Sequence, residues 1–187
     1  QVVIACDGGS WRRDAFPQYK WSRRNNRKES KLDFDMIFTT LNKVREEIAQ
    51  NMPYKVVYIR NVEADDIIGT LVEQTQEFGQ MEDVMIISAD KDFIQLQKYG
   101  NVKQYSPMTK KFIKDDNPNV YLFEHILKGD SSDGIPNVLS GDDTFVEGIR
   151  QSPMTKKKIQ SYVDNAENLE SFMGAEIYRN YKRNQLL

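Results

Sequence analysis

Short apolar runs and longer amphipathic stretches alternate along the chain, and their periods predict its elements. Val2–Cys6, Tyr54–Ile59 and Val84–Ile87 are apolar runs of strand length. Val84–Ile87 has no polar position at all, the pattern expected of a strand buried on both faces. Val102–Tyr105 reads as a further strand, with Thr109–Ile113 able to pair back on it as a hairpin arm. Near Asp33 the period changes: Phe34, Ile37, Phe38, Leu41 and Val44 share one face of a helix reaching Ile48 or Asn51, where Pro53 stops it. Asp66 opens another helix, with Ile67, Ile68, Leu71 and Val72 as its apolar residues. Helical patches follow at Phe93–Lys98, Val120–Lys128, Lys156–Val163 and Glu167–Asn184. This is the pattern of an α/β protein.

The ends of the strands carry the chemistry. Asp7 follows the first run, Glu63, Asp65 and Asp66 follow the second, and Asp90 and Asp92 follow the third. Asp130 and Asp133 share a later turn in G-D-S-S-D-G-I-P. Turns and helix caps explain single acids, because a carboxylate in a first helical turn favours the macrodipole. Three acids within four positions exceed what capping needs. In open α/β sheets, ligands bind in the crevice outside the carboxyl ends of the strands. Carboxylates gathered there repel one another unless a cation neutralises them. An all-oxygen set without His or Cys suits hard cations, Mg²⁺ or Mn²⁺. Several carboxylates sharing two such ions form the arrangement for in-line displacement at phosphorus.

With 187 residues, 39% hydrophobic and 29% charged, the chain can bury one substantial core and carry a small appendage. Its one cysteine, Cys6, lies in an apolar run and reads as a small buried hydrophobe, which fits a reducing, intracellular, cytoplasmic setting. No stretch resembles a membrane span or a secretory signal. The lone histidine, His125, reads as an ordinary helix residue. Charge is strongly segregated. Trp11–Lys31 has eight Lys and Arg against two acids, whereas Tyr54–Phe93 has nine acids against three bases. In the basic segment Trp11, Phe16, Tyr19 and Trp21 interleave with the cations, which combines the stacking faces and phosphate-seeking charges needed for single-strand nucleic-acid binding. The alternative is a solvated basic loop. Having little apolar face and many like charges, the segment is expected to be weakly ordered without nucleic acid.

The motifs V-E-A-D-D-I-I-G-T-L, S-A-D-K-D-F-I-Q-L and L-K-G-D-S-S-D-G-I-P-N-V, in that order, resemble the flap endonuclease/5′-nuclease superfamily, and within it the phage 5′-nucleases of the bacteriophage ribonuclease H type. W-R-R-D-x-F-P-x-Y-K-x-x-R is similar to the family's helical arch, and S-P-M-T-K-K-F-I to the stretch after its active-site strand. The resemblance covers most of residues 2–150. It implies a parallel-sheet, PIN-like nuclease core with a helical arch and a helix–three-turn–helix DNA-binding element, supplied by Val120–Ile159. It also implies two Mg²⁺ or Mn²⁺ ions, with Asp7, Asp65 and Asp90 around the first and Glu63, Asp92 and Asp133 around the second. Asp66 and Asp130 match further family acids of varying role. Tyr19, Lys20 and Arg23 fall on arch positions that handle the 5′ strand and scissile phosphate, with Arg12, Arg13 and Arg24 beside them. Lys20 counts among the catalytic residues with Asp7, Glu63, Asp65, Asp90 and Asp92. Two departures stand out: the family's first acid, on an opening strand, has no counterpart here, and L-S-G-D-D-T-F-V-E-G replaces the glycine-rich hairpin loop, a loss that the phage members share.

The expected organisation is a nuclease core over 1–118, with the arch at about 11–32, and a duplex-binding region over 119–187. Gln1 is not an initiator and the tail has no stop signal, so the sequence reads as a piece of a longer chain. The implied activity is 5′ to 3′ exonuclease and flap endonuclease action on DNA flaps or RNA primers in replication. Partners would be branched or flapped DNA and RNA–DNA duplex, with a single-stranded-DNA-binding protein or sliding clamp, for a monomer that engages no membrane. The competing readings are a non-catalytic branched-DNA-binding homologue and a phosphatase or kinase on an α/β core. The last lacks any G-x-x-x-x-G-K-[ST] loop and leaves the aromatic–basic segment unexplained.

Overall fold

The computed structural model describes residues 1–77 and 81–187, which form two compact units. The first comprises Gln1–Trp11 and Glu29–Pro118, the second Arg12–Lys28 and Asn119–Leu187. Among the described residues no helix is long and apolar enough to cross a membrane.

In the first unit, β1 (Val3–Cys6) pairs in parallel with β2 (Lys55–Tyr58). β3 (Val84–Ile87) pairs in parallel with β4 (Val102–Ser106), and β5 (Lys111–Ile113) returns antiparallel to β4 as the hairpin arm. Both parallel pairs fit the expected α/β class. Between β1 and β2 lies the long helix α3 (Phe34–Asn51), whose start is fixed by the Asp33 side chain accepting the Met36 N–H. α4 (Ala64–Gln74) follows β2, and a 3₁₀ helix, Lys91–Lys98, follows β3. The core cluster is Val72, Ile86, Phe93, Leu96 and Val102, where α4 and the 3₁₀ helix cover one face of β3 and β4.

Three expectations need correction here. β3 is buried on one face only: Ile86 is 4% exposed, but Met85 and Ile87 are 47% and 62% exposed. Alternate side chains point to opposite faces, so covering one face buries Ile86 alone of these three. The apolar face of α3 is likewise open, with no residue of the helix buried. α4 begins at Ala64 with Glu63 as its N-cap, two residues before Asp66, which closes a capping box by accepting the Glu63 N–H.

The second unit packs α5 (Pro118–Lys128), α6 (Lys156–Asp164), α7 (Leu169–Met173) and α8 (Ala175–Leu186) around Leu127, Val138, Ile159, Tyr162, Leu169 and Met173. The tail does not run as one helical stretch to Asn184. A 3₁₀ turn at Ala166–Asn168 precedes α7, and Gly174, at φ +75°, separates α7 from α8. Side chains of α8 hold the turns after α5: Asn180 donates to Val138 O and Ser140 O, and Asn184 to Ile126 O and Pro136 O. Arg179 and Arg183 both engage Asp142.

The basic segment departs furthest from expectation. It is ordered as α1 (Arg12–Ala15) and α2 (Trp21–Glu29), and Arg12–Lys28 belongs to the second unit instead of the first. The cause is apolar: Phe16 and Tyr19, 4% and 3% exposed, bury themselves with Ile135.

Gly8 sets the geometry at the end of β1. Its N–H donates to Val62 O and its carbonyl accepts from Asn61, so the loop before α4 lies directly against it. A Cβ at Gly8 would stand 1.8 Å from Ile59 O. Gly8→Ala should therefore lower stability by about 1–3 kcal/mol or more, read as a lower thermal midpoint. Gly69→Ala, where nothing lies within 4 Å, should be neutral or stabilising. Equal midpoints for the two variants would contradict this packing.

Candidate functional site

Three junctions of the first unit bring acids together. The Gly8 turn fixes Asp7, whose Oδ1 accepts the Ala64 N–H at 2.8 Å, tying the end of β1 to the start of α4. That bond carries Glu63 and Asp65 with it. Glu63 is 9% exposed and its Oε2 accepts the Ser10 hydroxyl at 2.7 Å. After β3, the Asp90 N–H donates to Ser88 Oγ, and Asp90 Oδ1 accepts the Asp92 N–H at 3.1 Å, a turn that leaves both carboxylates at one strand end. Gln104, 1% exposed on β4, holds that turn by donating to Ser88 O and Asp90 O.

The electrostatics of Asp65 register the gathering. Its pKa is raised to about 6, first by burial and then by the charges of Asp90, Asp7, Asp92 and Glu63. The side chain is nevertheless exposed to solvent, which screens much of the effect. Four carboxylates acting on a fifth, all oxygen donors at three loop ends, fit a hard divalent cation.

The other expected acids stand differently. Asp66 Oδ2 accepts Trp11 Nε1–H at 3.1 Å as well as closing the cap of α4. In the second unit, Asp130 Oδ1 accepts the N–H groups of Ser132 and Asp133, shaping its own turn. Asp133 meets Tyr19, Lys20 and Arg23.

Within the basic segment, Arg13 and Arg23 are exposed, whereas Arg12, Lys20 and Arg24 are half-buried. Arg12 Nε donates to Leu187 O, and Arg24 donates to Pro17 O and lies over the Trp21 ring. Tyr19 offers no stacking face to a strand: it is 3% exposed and its hydroxyl donates to Asp133 Oδ2 at 3.0 Å. Ser10 and Gln104 were not singled out by the sequence, and Trp11 was read there only as a stacking ring of the basic segment. Gln104 had a signal, since it shares the buried phase of β4 with Val102 and Ser106. The partners of Ser10 and Trp11 lie more than fifty residues away, with no local pattern to reveal them.

The 5′-3′ exonuclease N-terminal resolvase-like domain family matches residues 1–122. The chain is similar to the ribonuclease H of enterobacteria phage T4, at 37% identity over 195 residues, covering 100% of this chain and 63% of that protein. It is also similar to a 5′-3′ exonuclease of Buchnera aphidicola, at 30% identity over 205 residues, covering 100% of this chain and 66% of that protein. The chain thus spans 63% and 66% of the lengths of these relatives. A bacteriophage T5 flap endonuclease, solved as a pseudo-enzyme-product complex with DNA and metal ions, has the same fold, with a TM-score of 0.59 at 20% identity over 94% of this chain and 70% of that one.

The Asp65 shift has a direct consequence for stability. A carboxyl whose folded pKa lies above its unfolded value favours the folded state below about pH 4, and that contribution is lost as pH rises through about 6. In metal-free protein, Asp65→Asn should raise the thermal midpoint at pH 8 relative to the parent and change it little at pH 4. Mn²⁺ at pH 8 should stabilise the parent more than the variant. Parallel pH profiles for the two proteins would show that Asp65 is not held against other charges.

Proposed function

Because the chain belongs to the 5′-3′ exonuclease family, we propose that it is a divalent-metal-dependent, structure-specific 5′ nuclease. It hydrolyses phosphodiesters of DNA flaps or RNA primers during replication. The observation that carries the reading is the convergence of Asp7, Glu63, Asp90 and Asp92 on Asp65.

Asp7, Asp65 and Asp90 would hold one Mg²⁺ or Mn²⁺ ion, and Glu63 and Asp92 would hold a second. Bound there, such ions activate water and stabilise a leaving oxygen in in-line displacement at phosphorus. The chain's own residues supply the frame. The Ala64 N–H fixes Asp7, and the Ser10 hydroxyl fixes Glu63. Gln104 holds the turn that presents Asp90 and Asp92. Lys20, with Arg12, Arg13, Arg23 and Arg24, would attract and orient the substrate's phosphates, while the expected helix–three-turn–helix element over Val120–Ile159 would grip duplex backbone. The proposed setting is the cytoplasm, where the protein acts as a monomer on branched DNA and RNA–DNA duplex beside a single-stranded-DNA-binding protein or sliding clamp. A non-catalytic branched-DNA-binding homologue is the competing reading.

The two readings separate on Asp65→Asn. The nuclease reading expects cleavage of a 5′-flapped duplex to fall by more than the roughly 10–100-fold typical of changes outside a metal's ligands, with flap binding retained or tighter. Cleavage at the parent rate would remove Asp65 from the chemistry, and a parent protein inert with Mg²⁺ and Mn²⁺ would favour the binding module.

The basic segment needs its own probe. Arg13 is exposed at α1, so Arg13→Ala tests phosphate attraction without disturbing the hydrogen bonds and ion pairs described for its neighbours. The slope of log affinity against log salt should fall by about one unit, for one phosphate no longer neutralised, at an unchanged thermal midpoint. An unchanged slope would return Arg13 to an ordinary solvated position.

A further inference from the structure

The geometry points to Asp133 as the clasp of the basic segment: a residue that positions Lys20, not a ligand of a cation. Two acids among the described residues, Asp65 and Asp133, have different surroundings. Carboxylates crowd Asp65, whereas cations and donors crowd Asp133. Tyr19 donates its hydroxyl to Asp133 Oδ2 at 3.0 Å, and Lys20 Nζ lies 3.5 Å from the same oxygen. Arg23 Nη2 approaches Oδ1 at 2.7 Å, a close ion pair whose direction does not make a hydrogen bond. The Asp133 side chain is only 16% exposed, so these charges meet with limited screening. An incoming divalent cation would have to displace both Lys20 and Arg23 or stand beside them. The residues present do not fit a metal at this carboxylate.

The backbone adds to the clasp. The Lys20 N–H donates to Asp133 O at 2.7 Å. Lys20 itself sits at φ +54°, a left-handed conformation that side chains other than glycine rarely adopt, and that bond anchors it there. The facing turn is equally constrained. Gly134 has φ +75°, and a Cβ there would stand 3.1 Å from Gln18 O. Asp130 Oδ1 accepts the Asp133 N–H, and the Ile135 N–H donates to Asp130 O. Below the polar contacts, Phe16, Tyr19 and Ile135 close an apolar plug. The D-S-S-D-G-I turn is thus a socket for F-P-Q-Y-K, with the Asp133 charge at its centre.

The clasp rests on this geometry alone, and its effect on turnover rests on the nuclease reading above. Two measurements on Asp133→Asn test it without activity. Amide hydrogen exchange over Tyr19–Arg24 should quicken by about tenfold or more, because a charged acceptor is removed while the shape is kept. Titration followed by Mn²⁺ electron paramagnetic resonance should show the parent's number of bound ions with affinity within about twofold. Asp133→Glu, which keeps the charge, should restore slow exchange. Should Asp133→Asn fail to fold, Tyr19→Phe, which removes one hydroxyl, carries the exchange arm, and Asp133→Glu carries the Mn²⁺ arm. Loss of a bound Mn²⁺ from the Asp133 variants would make Asp133 a ligand and overturn the proposal. So would unchanged exchange in Asp133→Asn and Tyr19→Phe together. Absence of cleavage by the parent would defeat the nuclease reading and leave both measurements valid.

Discussion

Repulsion among like charges is the constraint around which the first unit is arranged. Carboxylates brought together at three junctions raise the free energy of the folded chain, and Asp65, lifted to a pKa of about 6 by burial first and by these charges second, reports it. The local structure spends its hydrogen bonds on keeping the acids where they are. The Ala64 N–H holds Asp7, Ser10 holds Glu63, and buried Gln104 braces the Ser88–Asp90 turn. A polar side chain 1% exposed, placed behind an acidic turn, is stable because both carbonyls it meets are acceptors. Charge that opposes folding and is nevertheless braced in place is what the proposed cation site would require.

The second unit resolves its charges internally. Burial alone would push the Asp142 carboxyl up, yet hydrogen bonds from Arg183 and Arg179 hold it below the usual carboxylate range. Asp133 likewise faces partners of its own unit, ion-paired with Lys20 and Arg23 and hydrogen-bonded by Tyr19. Acids that look equivalent along the chain therefore divide by what faces them: carboxylates around Asp65, basic side chains around Asp133 and Asp142.

How much of this was legible in the sequence follows the range of the interactions. The helix beginning near Asp33, the strands that end shortly before Asp7 and Asp90, and the β4–β5 hairpin rest on neighbours a few residues apart, and they stood in the pattern. The one-sided burial of β3 did not, because an unbroken apolar run does not say which face a helix will cover. Tyr19 was the larger miss. Its setting among basic residues suggests a surface ring, but its burial and its bond to Asp133 depend on a turn 114 residues away. The order of Arg12–Lys28 is tertiary in the same sense, since little in the segment itself would fold it.

The central claim, that the acids gathered around Asp65 hold a divalent cation, is tested most directly by anomalous diffraction from crystals soaked in Mn²⁺. The account predicts peaks within about 2.5 Å of carboxylate oxygens drawn from Asp7, Glu63, Asp65, Asp90 and Asp92, with none bound to Asp133. Peaks confined to other carboxylates, or no ordered Mn²⁺ at saturating concentration, would contradict it.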